Sequence, residues 1–456
     1  MHIVGTHGYF LQEDEKEQGI MRPYPTLGLL YISSFLKAHQ KEVSIVDSTF
    51  LTTEQWKAEL SAIAPTVIAF YTNLMTKVKI LELVNWCKVS LPNATLIVGG
   101  PDVTYNKENY LHAGFDFVVS GEGEQTMLEL ITAIEKDTST NDIPGVSYLK
   151  DDTLVIGPER TKIKEIEELP FPDRSAIPIE KYLSVWKKHH GKRTLNISTQ
   201  RGCPYTCKWC STAVYGQSYR RNSPRRVVEE IKSLVNDYAA EALWFVDDVF
   251  TVSHKWIKEL HGEFQKNELT IPFECITRAE RLNPEILALL KQMGCFRIWI
   301  GAESGSQKII DKMDRRVDLT TVQAMIQETQ EQGMEAGTFI MVGYPDENLE
   351  DLQQTLEHIQ KCNPNYLTIT KAYPIKGTGL YNEVKEKFTN QPEWKTSTDR
   401  DITFELPYSD KFYGYSIRYL VNGWIANREK SMKHKLKSWG SYQMMMMHKK
   451  FRANDN

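Results

Sequence analysis

Three cysteines lie close together in the segment Arg201-Gly-Cys-Pro-Tyr-Thr-Cys-Lys-Trp-Cys210, with the spacing CxxxCxxC. Thiolates this close, from Cys203, Cys207 and Cys210, are expected to bind one metal centre. A closed structural zinc site takes four protein ligands, and an iron–sulfur cluster normally takes four cysteines. A cluster held by three would leave one iron free to bind a substrate. We expect a redox iron–sulfur cluster; the alternatives are disulfides or a zinc ribbon with a distant fourth ligand.

The composition is that of an ordinary globular protein, with 456 residues, 41% hydrophobic and 25% charged, which by length suggests two to three domains. A net charge of −4 gives no overall signature of polyanion binding. Seven cysteines, three of them clustered, do not form an extracellular disulfide framework. The N-terminal residues lack the pattern of a signal peptide, and no apolar run approaches the length of a membrane span. We therefore expect a cytoplasmic, oxygen-sensitive protein.

The first 140 residues alternate short apolar runs with helical patterns, which predicts a parallel, doubly wound sheet. The predicted strands are 2–5, 43–47, 67–71, 96–99 and 117–120, and the main predicted helices are 26–37, 55–63, 77–89 and 124–134. Ligands of such sheets bind at the carboxyl ends of the strands.

Polar residues and glycines follow four of these strands, and four such loops at one edge favour a ligand site over tight turns alone. The candidate ligand-binding residues are Asp47, Ser48, Thr72, Gly99, Gly100, Gly121, Glu122 and Glu124. The first strand is not followed by GxGxxG, and the chain has no GxxxxGK(S/T) motif, which argues against dinucleotides and nucleoside triphosphates.

Residues 141–190 are predicted to be a linker, stiffened by prolines, with a small hairpin at 146–149 and 153–156. Residues 191–390 then contain six βα repeats, which predicts an incomplete β/α barrel with its chemistry in the loops after the strands. The predicted strands are 194–198, 242–246, 273–277, 297–300, 335–342 and 366–370. The cysteine segment directly follows the first of them.

Residues 391–456 are predicted to form a helical C-terminal region with a basic tail. The helical pattern at 410–426 is rich in aromatic residues, and packing on the barrel is its expected use. From Arg428 onward lysines outnumber acids and interleave with apolar residues, among them Trp439 and the run of four methionines at 444–447. A solvated or frayed terminus is the favoured interpretation; the alternative is a basic amphipathic stretch that lies on an anionic membrane.

At this point the chain resembles the radical S-adenosylmethionine (SAM) superfamily, and within it the subgroup with an N-terminal cobalamin-binding domain. The resemblance covers roughly residues 1–390 and rests on the cysteine motif, with Trp209 before the third cysteine, and on the order of the flanking motifs. The matching stretches are 26–47, Val98-Gly-Gly-Pro101, Ser120-Gly-Glu-Gly-Glu124, Gln200-Arg-Gly-Cys-Pro204, Glu303-Ser-Gly-Ser306, Gly343-Tyr-Pro-Asp346 and Gly377-Thr-Gly-Leu-Tyr381.

The resemblance implies a fold and a set of cofactors. The fold would be a doubly wound, Rossmann-like cobalamin-binding domain followed by a partial (β/α)6 barrel of the TIM type. Cys203, Cys207 and Cys210 would hold a 4Fe-4S cluster whose fourth iron chelates SAM. An electron from the cluster would cleave SAM to methionine and a 5′-deoxyadenosyl radical.

The resemblance also implies roles for the polar groups at the ends of the barrel strands. Asp247 or Asp248 would face the ammonium group of SAM, and Arg278 its carboxylate. Glu303 and Ser304 would face the ribose, and Trp209 and the strand that ends at Gly343 would lie by the adenine. The alternatives are a solvated loop or cap at Asp247-Asp248, an Arg278–Glu280 pair at the surface, and a helix cap at Glu303.

The first domain departs from the pattern DxHxxG, whose histidine replaces the nucleotide base under cobalt. Asp47 is followed by Ser-Thr-Phe-Leu-Thr, which excludes a histidine ligand from this loop. Cobalamin could still bind with its lower face empty or occupied by water. A degenerate domain without cobalamin is the alternative.

The leading hypothesis is a cobalamin-dependent radical SAM methyltransferase that methylates an unactivated carbon of a small molecule, natural product or lipid. The second is a cobalamin-dependent radical cyclase or oxidase, similar to the anaerobic cyclases of chlorophyll biosynthesis. A non-catalytic cobalamin or cluster sensor is the third, and the intact set of strand-end groups argues against it. Electrons must come from outside, so we expect a flavodoxin or ferredoxin partner.

Overall fold

The computed structural model describes residues 1–211 and 215–449. Backbone contacts divide the chain into two compact units. The first contains Met1–Pro204, Thr212–Leu243 and Pro392–Asp401, and the second contains Tyr205–Ser211, Trp244–Gln391 and Ile402–Asn456. Cys203 therefore belongs to the first unit, whereas Cys207 and Cys210 belong to the second.

The core of the first unit is a seven-stranded sheet in the order β2-β1-β3-β4-β5-β6-β7. Its strands are β1 (His2–His7), β2 (Glu42–Val46), β3 (Val67–Tyr71), β4 (Thr95–Gly99), β5 (Phe117–Val119), β6 (Val146–Lys150) and β7 (Thr153–Ile156). The first five pair in parallel, and β6 and β7 are antiparallel. This confirms the predicted doubly wound sheet.

Helices cover both faces of this sheet, as a doubly wound fold requires. The helices of the first unit are α1 (Glu15–Ile20), α2 (Leu27–Ala38), α3 (Thr53–Ile63), α4 (Lys77–Ser90), α5 (Lys107–His112), α6 (Gly123–Glu135), α7 (Ile179–His190) and α8 (Pro224–Tyr238). One buried cluster joins Trp56 of α3 and Ile80 of α4 to the sheet, and a second cluster joins Leu36 of α2 and Leu130 of α6 to the sheet.

The segment predicted as a linker is more ordered than its sequence suggested. The hairpin β6–β7 extends the first sheet, because Ser147 pairs with Val118 of β5. Helix α7 was not predicted; it buries Tyr182, Leu183 and Trp186, which are spaced to share one helical face. The prolines and charged residues around it concealed this short amphipathic pattern.

The second sheet has six strands in the order β15-β14-β13-β12-β11-β8. They are β8 (Thr194–Ile197), β11 (Ala242–Phe245), β12 (Phe273–Thr277), β13 (Cys295–Glu303), β14 (Glu335–Val342) and β15 (Tyr366–Lys371); β9 (Gln200–Arg201) and β10 (Arg220–Arg221) form a separate pair. The pairs β12/β13, β13/β14 and β14/β15 are parallel. Six strands alternating with helices confirm the partial barrel.

The remaining helices belong to the second unit and include the predicted helical C-terminal region. They are α9 (His254–Lys266), α10 (Pro284–Met293), α11 (Gln307–Lys312), α12 (Leu319–Glu331), α13 (Leu349–Cys362), α14 (Gly379–Val384), α15 (Asp410–Arg428) and α16 (Met432–His448). A short antiparallel pair, β16 (Phe388–Asn390) and β17 (Thr403–Phe404), precedes α15. Among the described helices, none is long and apolar enough to cross a membrane.

A buried ion network within the first unit joins the loop after β5 to the strands β9 and β10. Glu122 accepts hydrogen bonds from Nη1 of Arg201 at 3.0 Å and from Nη1 of Arg220 at 2.8 Å. It also accepts one from the backbone NH of Ile163 at 2.7 Å, while Glu124 pairs with Nη2 of Arg201. Glu122, Glu124 and Arg201 are all buried. The network therefore fixes Arg201, two residues before Cys203, against the first domain's sheet.

We predict that Arg201→Met lowers the free energy of unfolding by about 3 kcal/mol, because it leaves Glu124 and part of Glu122 buried without their cation. The matched control is Arg225→Met, since Arg225 forms a largely exposed ion pair with Glu229 on α8 and should change the value by less than about 0.5 kcal/mol. Urea denaturation under reducing conditions measures both. Equal effects of the two substitutions would contradict the prediction.

Candidate functional site

The cysteine segment begins in the first unit with a turn that only glycine fits. Gly202 has φ +83°, and a Cβ there would lie 2.3 Å from the carbonyl oxygen of Ser218. Cys203 follows it and is buried, whereas Cys207 is half-buried and Cys210 is exposed. None of the seven cysteines, all within the described ranges, forms a disulfide. The disulfide alternative for this segment does not apply.

Within the second unit, Cys207 lies against an arginine. Nη1 of Arg278, which follows β12, donates to Sγ of Cys207 at 3.2 Å. The backbone of Lys208, the next residue, forms two hydrogen bonds. Its NH donates to the carbonyl of Met313 at 3.1 Å, and its carbonyl accepts from the NH of Leu380 at 2.7 Å.

Arg278 is buried, and each nitrogen of its guanidinium has a partner. Nε pairs with Glu280, Nη2 donates to the carbonyl of Arg315, and the group stacks 3.9 Å from the ring centroid of Tyr205. The pair with Glu280 considered from the sequence is therefore present, but Arg278 is inside the protein and not at its surface. Its role toward SAM stays a prediction.

The other predicted residues of the barrel lie at strand ends in different environments. After β11, Asp247 is buried and Asp248 is exposed, and Trp209 in the cysteine segment is half-buried. Ser304 is buried, and its Oγ accepts from the backbone NH of Ser306 at 3.1 Å.

Glu303 is the last residue of β13, which is longer than predicted. Its backbone adopts φ +67°, unusual for a residue with a side chain. Burial raises the pKa of its carboxyl, against the lowering effect of the positive charges of Arg315 and Arg278. The N-cap of α11 is Ser306, so Glu303 does not cap that helix.

The loop after β14 contains Gly343 together with two polar groups that the sequence did not single out. Oε2 of Glu347 accepts the backbone NH of Gly343 at 2.6 Å. Oε1 of Glu347 and the hydroxyl of Tyr344 are buried and have no hydrogen-bond partner among the described residues. Burial raises the pKa of Glu347 to about 8.

Arg315 is a third polar group that the sequence did not single out. It is buried near Glu303, donates from Nη2 to the carbonyl of Gly301 at 2.9 Å, and has no partner for Nε in the described part of the chain. The only sequence signal was its position in the charged segment Asp314-Arg-Arg316 after α11.

In the first unit, Asp47 and Ser48 are engaged inside the protein. Asp47 accepts from Nε2 of His7 at 3.0 Å and from the hydroxyl of Tyr182 at 2.8 Å. Burial alone would raise the pKa of Asp47, but the hydrogen bond and charge of His7 and the bonds from Thr49 hold it below its ordinary value. Ser48 bonds to Nδ1 of His7 at 2.9 Å, so both ring nitrogens of this histidine are occupied.

The loops after β3 and β4 pack directly against each other. Thr72 donates its backbone NH to Gly99 at 2.8 Å, and its hydroxyl lies 3.2 Å from that of Tyr110. Gly100 has φ +122°, and a Cβ there would lie 2.1 Å from the carbonyl oxygen of Thr72. Gly100 is therefore required by the packing of these two loops.

The loop after β5 has open space at its glycine. Gly121 has φ +81°, and a Cβ there would meet no atom within 4 Å. Oγ of Ser120 is buried without a hydrogen-bond partner among the described residues. Glu122 and Glu124, in contrast, are occupied by the ion network, so Ser120 and Gly121 are the groups of this loop that remain available to a ligand.

Two family models match separate parts of the chain. Residues 21–131 match the B12 binding domain, and residues 197–359 match the radical SAM superfamily. The chain therefore combines a B12-binding domain with a radical SAM domain. It is a radical SAM enzyme, and its cofactors are a 4Fe-4S cluster, SAM and cobalamin.

Relatives of this radical SAM enzyme include methyltransferases and a cyclase. It is 28% identical over 398 residues to an uncharacterized methyltransferase of Pyrococcus horikoshii, covering 84% of each chain. It is 24% identical to the anaerobic magnesium-protoporphyrin IX monomethyl ester cyclase of Rubrivivax gelatinosus, covering 80% of this chain and 67% of the other. The solved structure of the cobalamin-dependent SAM radical enzyme OxsB shares its fold, with a TM-score of 0.77 at 16% identity, over 98% of this chain and 71% of that one.

The chemistry of the described side chains fits these cofactors. The three thiols of Cys203, Cys207 and Cys210 suit a cluster, and Nη1 of Arg278 donates a hydrogen bond to Sγ of Cys207 at 3.2 Å. Across residues 1–211 and 215–449, no three histidine, cysteine or acidic side chains form a group placed to hold a metal ion, so the cluster ligands stay a prediction from spacing. Open space at Gly121 and the hydroxyl of Ser120 fit a bulky ligand such as cobalamin.

We predict that Glu347→Gln removes a pH dependence of stability. The pKa of Glu347 in the folded protein, about 8, lies above its ordinary value of 4.5. The protonated carboxyl therefore stabilises the folded state fully below pH 4.5, and this stabilisation is lost as the pH rises through 8. At pH 9 the free energy of unfolding of the variant should exceed that of the wild type by roughly 5 kcal/mol at most. Urea denaturation between pH 5 and 9 measures this. Glu331→Gln, at an exposed site on α12, is the control, and parallel profiles for Glu347→Gln and the wild type would refute the prediction.

We predict that Gly121→Ala lowers the affinity for cobalamin by at least about tenfold, because its Cβ enters the open space beside Ser120. Gly191→Ala is the matched control, since Gly191 has φ +80° and equally open surroundings but lies at the end of α7. Both should cost about 1 kcal/mol of stability from the left-handed backbone alone. Absorbance titration of the anaerobically purified protein with hydroxocobalamin measures binding. Equal affinities of the two variants would count against cobalamin at this loop.

Proposed function

We propose that this protein is a cobalamin-dependent radical SAM methyltransferase that methylates an unactivated carbon of a small molecule, natural product or lipid. The observation that supports it most is the buried ion network of Glu122, Glu124, Arg201 and Arg220. It ties the open loop after β5, in the B12-binding part, to the strand that leads into Cys203. Within the first unit, the network therefore links the candidate cobalamin-binding loop to the first of the three cluster cysteines.

We assign residues 1–140 to cobalamin binding, 141–190 to the connection, 191–390 to the radical SAM barrel and 391–456 to the helical C-terminal region. Bound together, the cofactors would supply a carbon-centred radical and a transferable methyl group. The protein's own contribution is to hold them. Cys203, Cys207 and Cys210 bind the cluster, and Arg278 orients Cys207 by donating a hydrogen bond to its Sγ at 3.2 Å.

For SAM, the proposed binding groups are those predicted at the strand ends, with three additions. Arg315 has a buried Nε without a partner in the described residues, which suits a carboxylate, whereas the guanidinium of Arg278 is already engaged. Glu347 and Tyr344 add buried oxygens beside Gly343 that can hydrogen-bond to an adenosyl group. The full proposed set is Trp209, Asp247, Asp248, Arg278, Glu303, Ser304, Gly343, Arg315, Tyr344 and Glu347.

For cobalamin, Gly121 and Ser120 are proposed to lie against the ligand. Thr72, Gly99 and Gly100 shape the neighbouring loops through their mutual packing. Asp47, Ser48, Glu122 and Glu124 act as positioning residues, since their polar atoms bind other parts of the protein. Both nitrogens of His7 are hydrogen-bonded, so it supplies no ligand to the lower face of cobalt in this arrangement.

The test is product analysis during anaerobic turnover on candidate extracts, with SAM labelled in its methyl group and reduced flavodoxin or ferredoxin as donor. Methyl transfer should yield S-adenosylhomocysteine and 5′-deoxyadenosine together, with label in a new product. Cys203→Ala should abolish 5′-deoxyadenosine while cobalamin still binds. Formation of 5′-deoxyadenosine without S-adenosylhomocysteine would refute methyl transfer.

A second candidate function is a radical cyclisation or oxidation without methyl transfer. The similarity to the Rubrivivax gelatinosus cyclase over 80% of the chain favours it as an alternative. The same experiment separates the two, because this reaction yields 5′-deoxyadenosine and no label in the product.

A further inference from the structure

The last described helix, α16, packs on α15 with one face. Met445 is fully buried, and Oγ of Ser438 donates to the carbonyl of Tyr419 on α15 at 2.9 Å. The ring of His448 stacks on Tyr415, with centroids 5.5 Å apart and planes within 6°. Ser431 caps the helix by accepting the backbone NH of His434. The basic tail, as far as His448, is therefore a capped and packed helix and not a frayed terminus.

The opposite face of α16 carries a stripe of large apolar side chains in solvent. Met432, Leu436, Trp439 and Met447 are between 62 and 67% exposed. Their spacing of four, three and eight residues places them within a narrow arc of the helix. They are four of the twelve large hydrophobic residues that are exposed in the described chain, so a third of this group lies on one short helix.

The charged side chains of α16 itself are all basic. Lys433, Lys435, Lys437 and Lys449 lie on or beside α16, and the sequence from Met432 to Lys449 contains no acidic residue. The whole chain carries a net charge of −4, so the positive charge of this surface is opposite in sign to that of the molecule as a whole. An apolar stripe bordered by lysines complements an anionic lipid surface, because the side chains enter the acyl boundary while the lysines bind headgroups.

We propose that α16 docks the protein on an anionic membrane, with the helix axis in the plane of the interface. Met432, Leu436, Trp439 and Met447 insert below the headgroups, and the flanking lysines bind lipid phosphates. This surface lies on the C-terminal region and is independent of the proposed methyl transfer.

Sedimentation of the full-length protein with lipid vesicles tests the proposal. Binding to vesicles of phosphatidylcholine with phosphatidylglycerol should exceed binding to phosphatidylcholine alone by about 100-fold, the effect expected of two to three lysines at an anionic surface. Leu436→Ser combined with Trp439→Ser should abolish it. Val89→Ser, at a more exposed site on α4, is the matched control and should bind as the wild type.

A second variant, Lys433→Gln with Lys435→Gln and Lys437→Gln, tests the contribution of the lysines and should lose the preference for anionic vesicles. Its control is Lys255→Gln with Lys258→Gln on α9. All changed side chains are exposed, so melting temperatures should match the wild type. Equal binding to both vesicle types, or retained binding by the apolar variant, would overturn the proposal. A dimer in analytical ultracentrifugation that Trp439→Ser dissociates would overturn it as well, by assigning the stripe to a second copy.

Discussion

The buried ion network around Glu122 constrains the rest of the first unit. Removing carboxylates and guanidinium groups from water costs free energy, so a buried charged group needs hydrogen-bond partners inside the protein. Glu122 has three such partners, which are Arg201, Arg220 and the backbone NH of Ile163. The network therefore holds the loop after β5, the connecting segment and the strands β9 and β10 together through paired charges, although Nε and Nη2 of Arg220 have no hydrogen-bond partner among the described residues.

The sequence predicted the architecture well because the main elements are decided locally. Buried parallel strands appear as apolar runs, and β3 and β14 have the predicted bounds. Helices with strong start and stop signals, such as α8 with Pro224 at its first position, were equally clear. The membership of the hairpin β6–β7 in the first sheet was not predictable, since the pairing of Ser147 with Val118 is a tertiary choice that no local pattern encodes.

The sequence predicted which types of residue lie at the candidate site, but only partly which neighbours their side chains contact. Carboxylates and glycines at strand ends were found from the pattern, but their partners come from distant segments. Asp47 meets Tyr182, and Glu124 meets Arg201, over separations of 135 and 77 residues. Conversely, Arg315 and Glu347 were missed because their significance lies in buried atoms without partners, which only the packed structure reveals.

Polar groups at strand ends thus fall into two classes, those already hydrogen-bonded within the fold and those with a buried atom that lacks a partner. The sequence does not distinguish the two. Asp47, Ser48 and Glu124 use their hydrogen-bonding capacity within the fold, and a ligand would have to displace an internal bond to reach them. Ser120, Tyr344, Glu347 and Arg315 keep buried atoms that the described protein leaves unsatisfied, at a free-energy cost of about 1–3 kcal/mol each. A ligand that supplies the missing partners recovers that cost. Residual hydrogen-bonding capacity therefore separates Ser120, Tyr344, Glu347 and Arg315, as candidates for ligand contact, from strand-end groups whose polar atoms are already bonded within the fold.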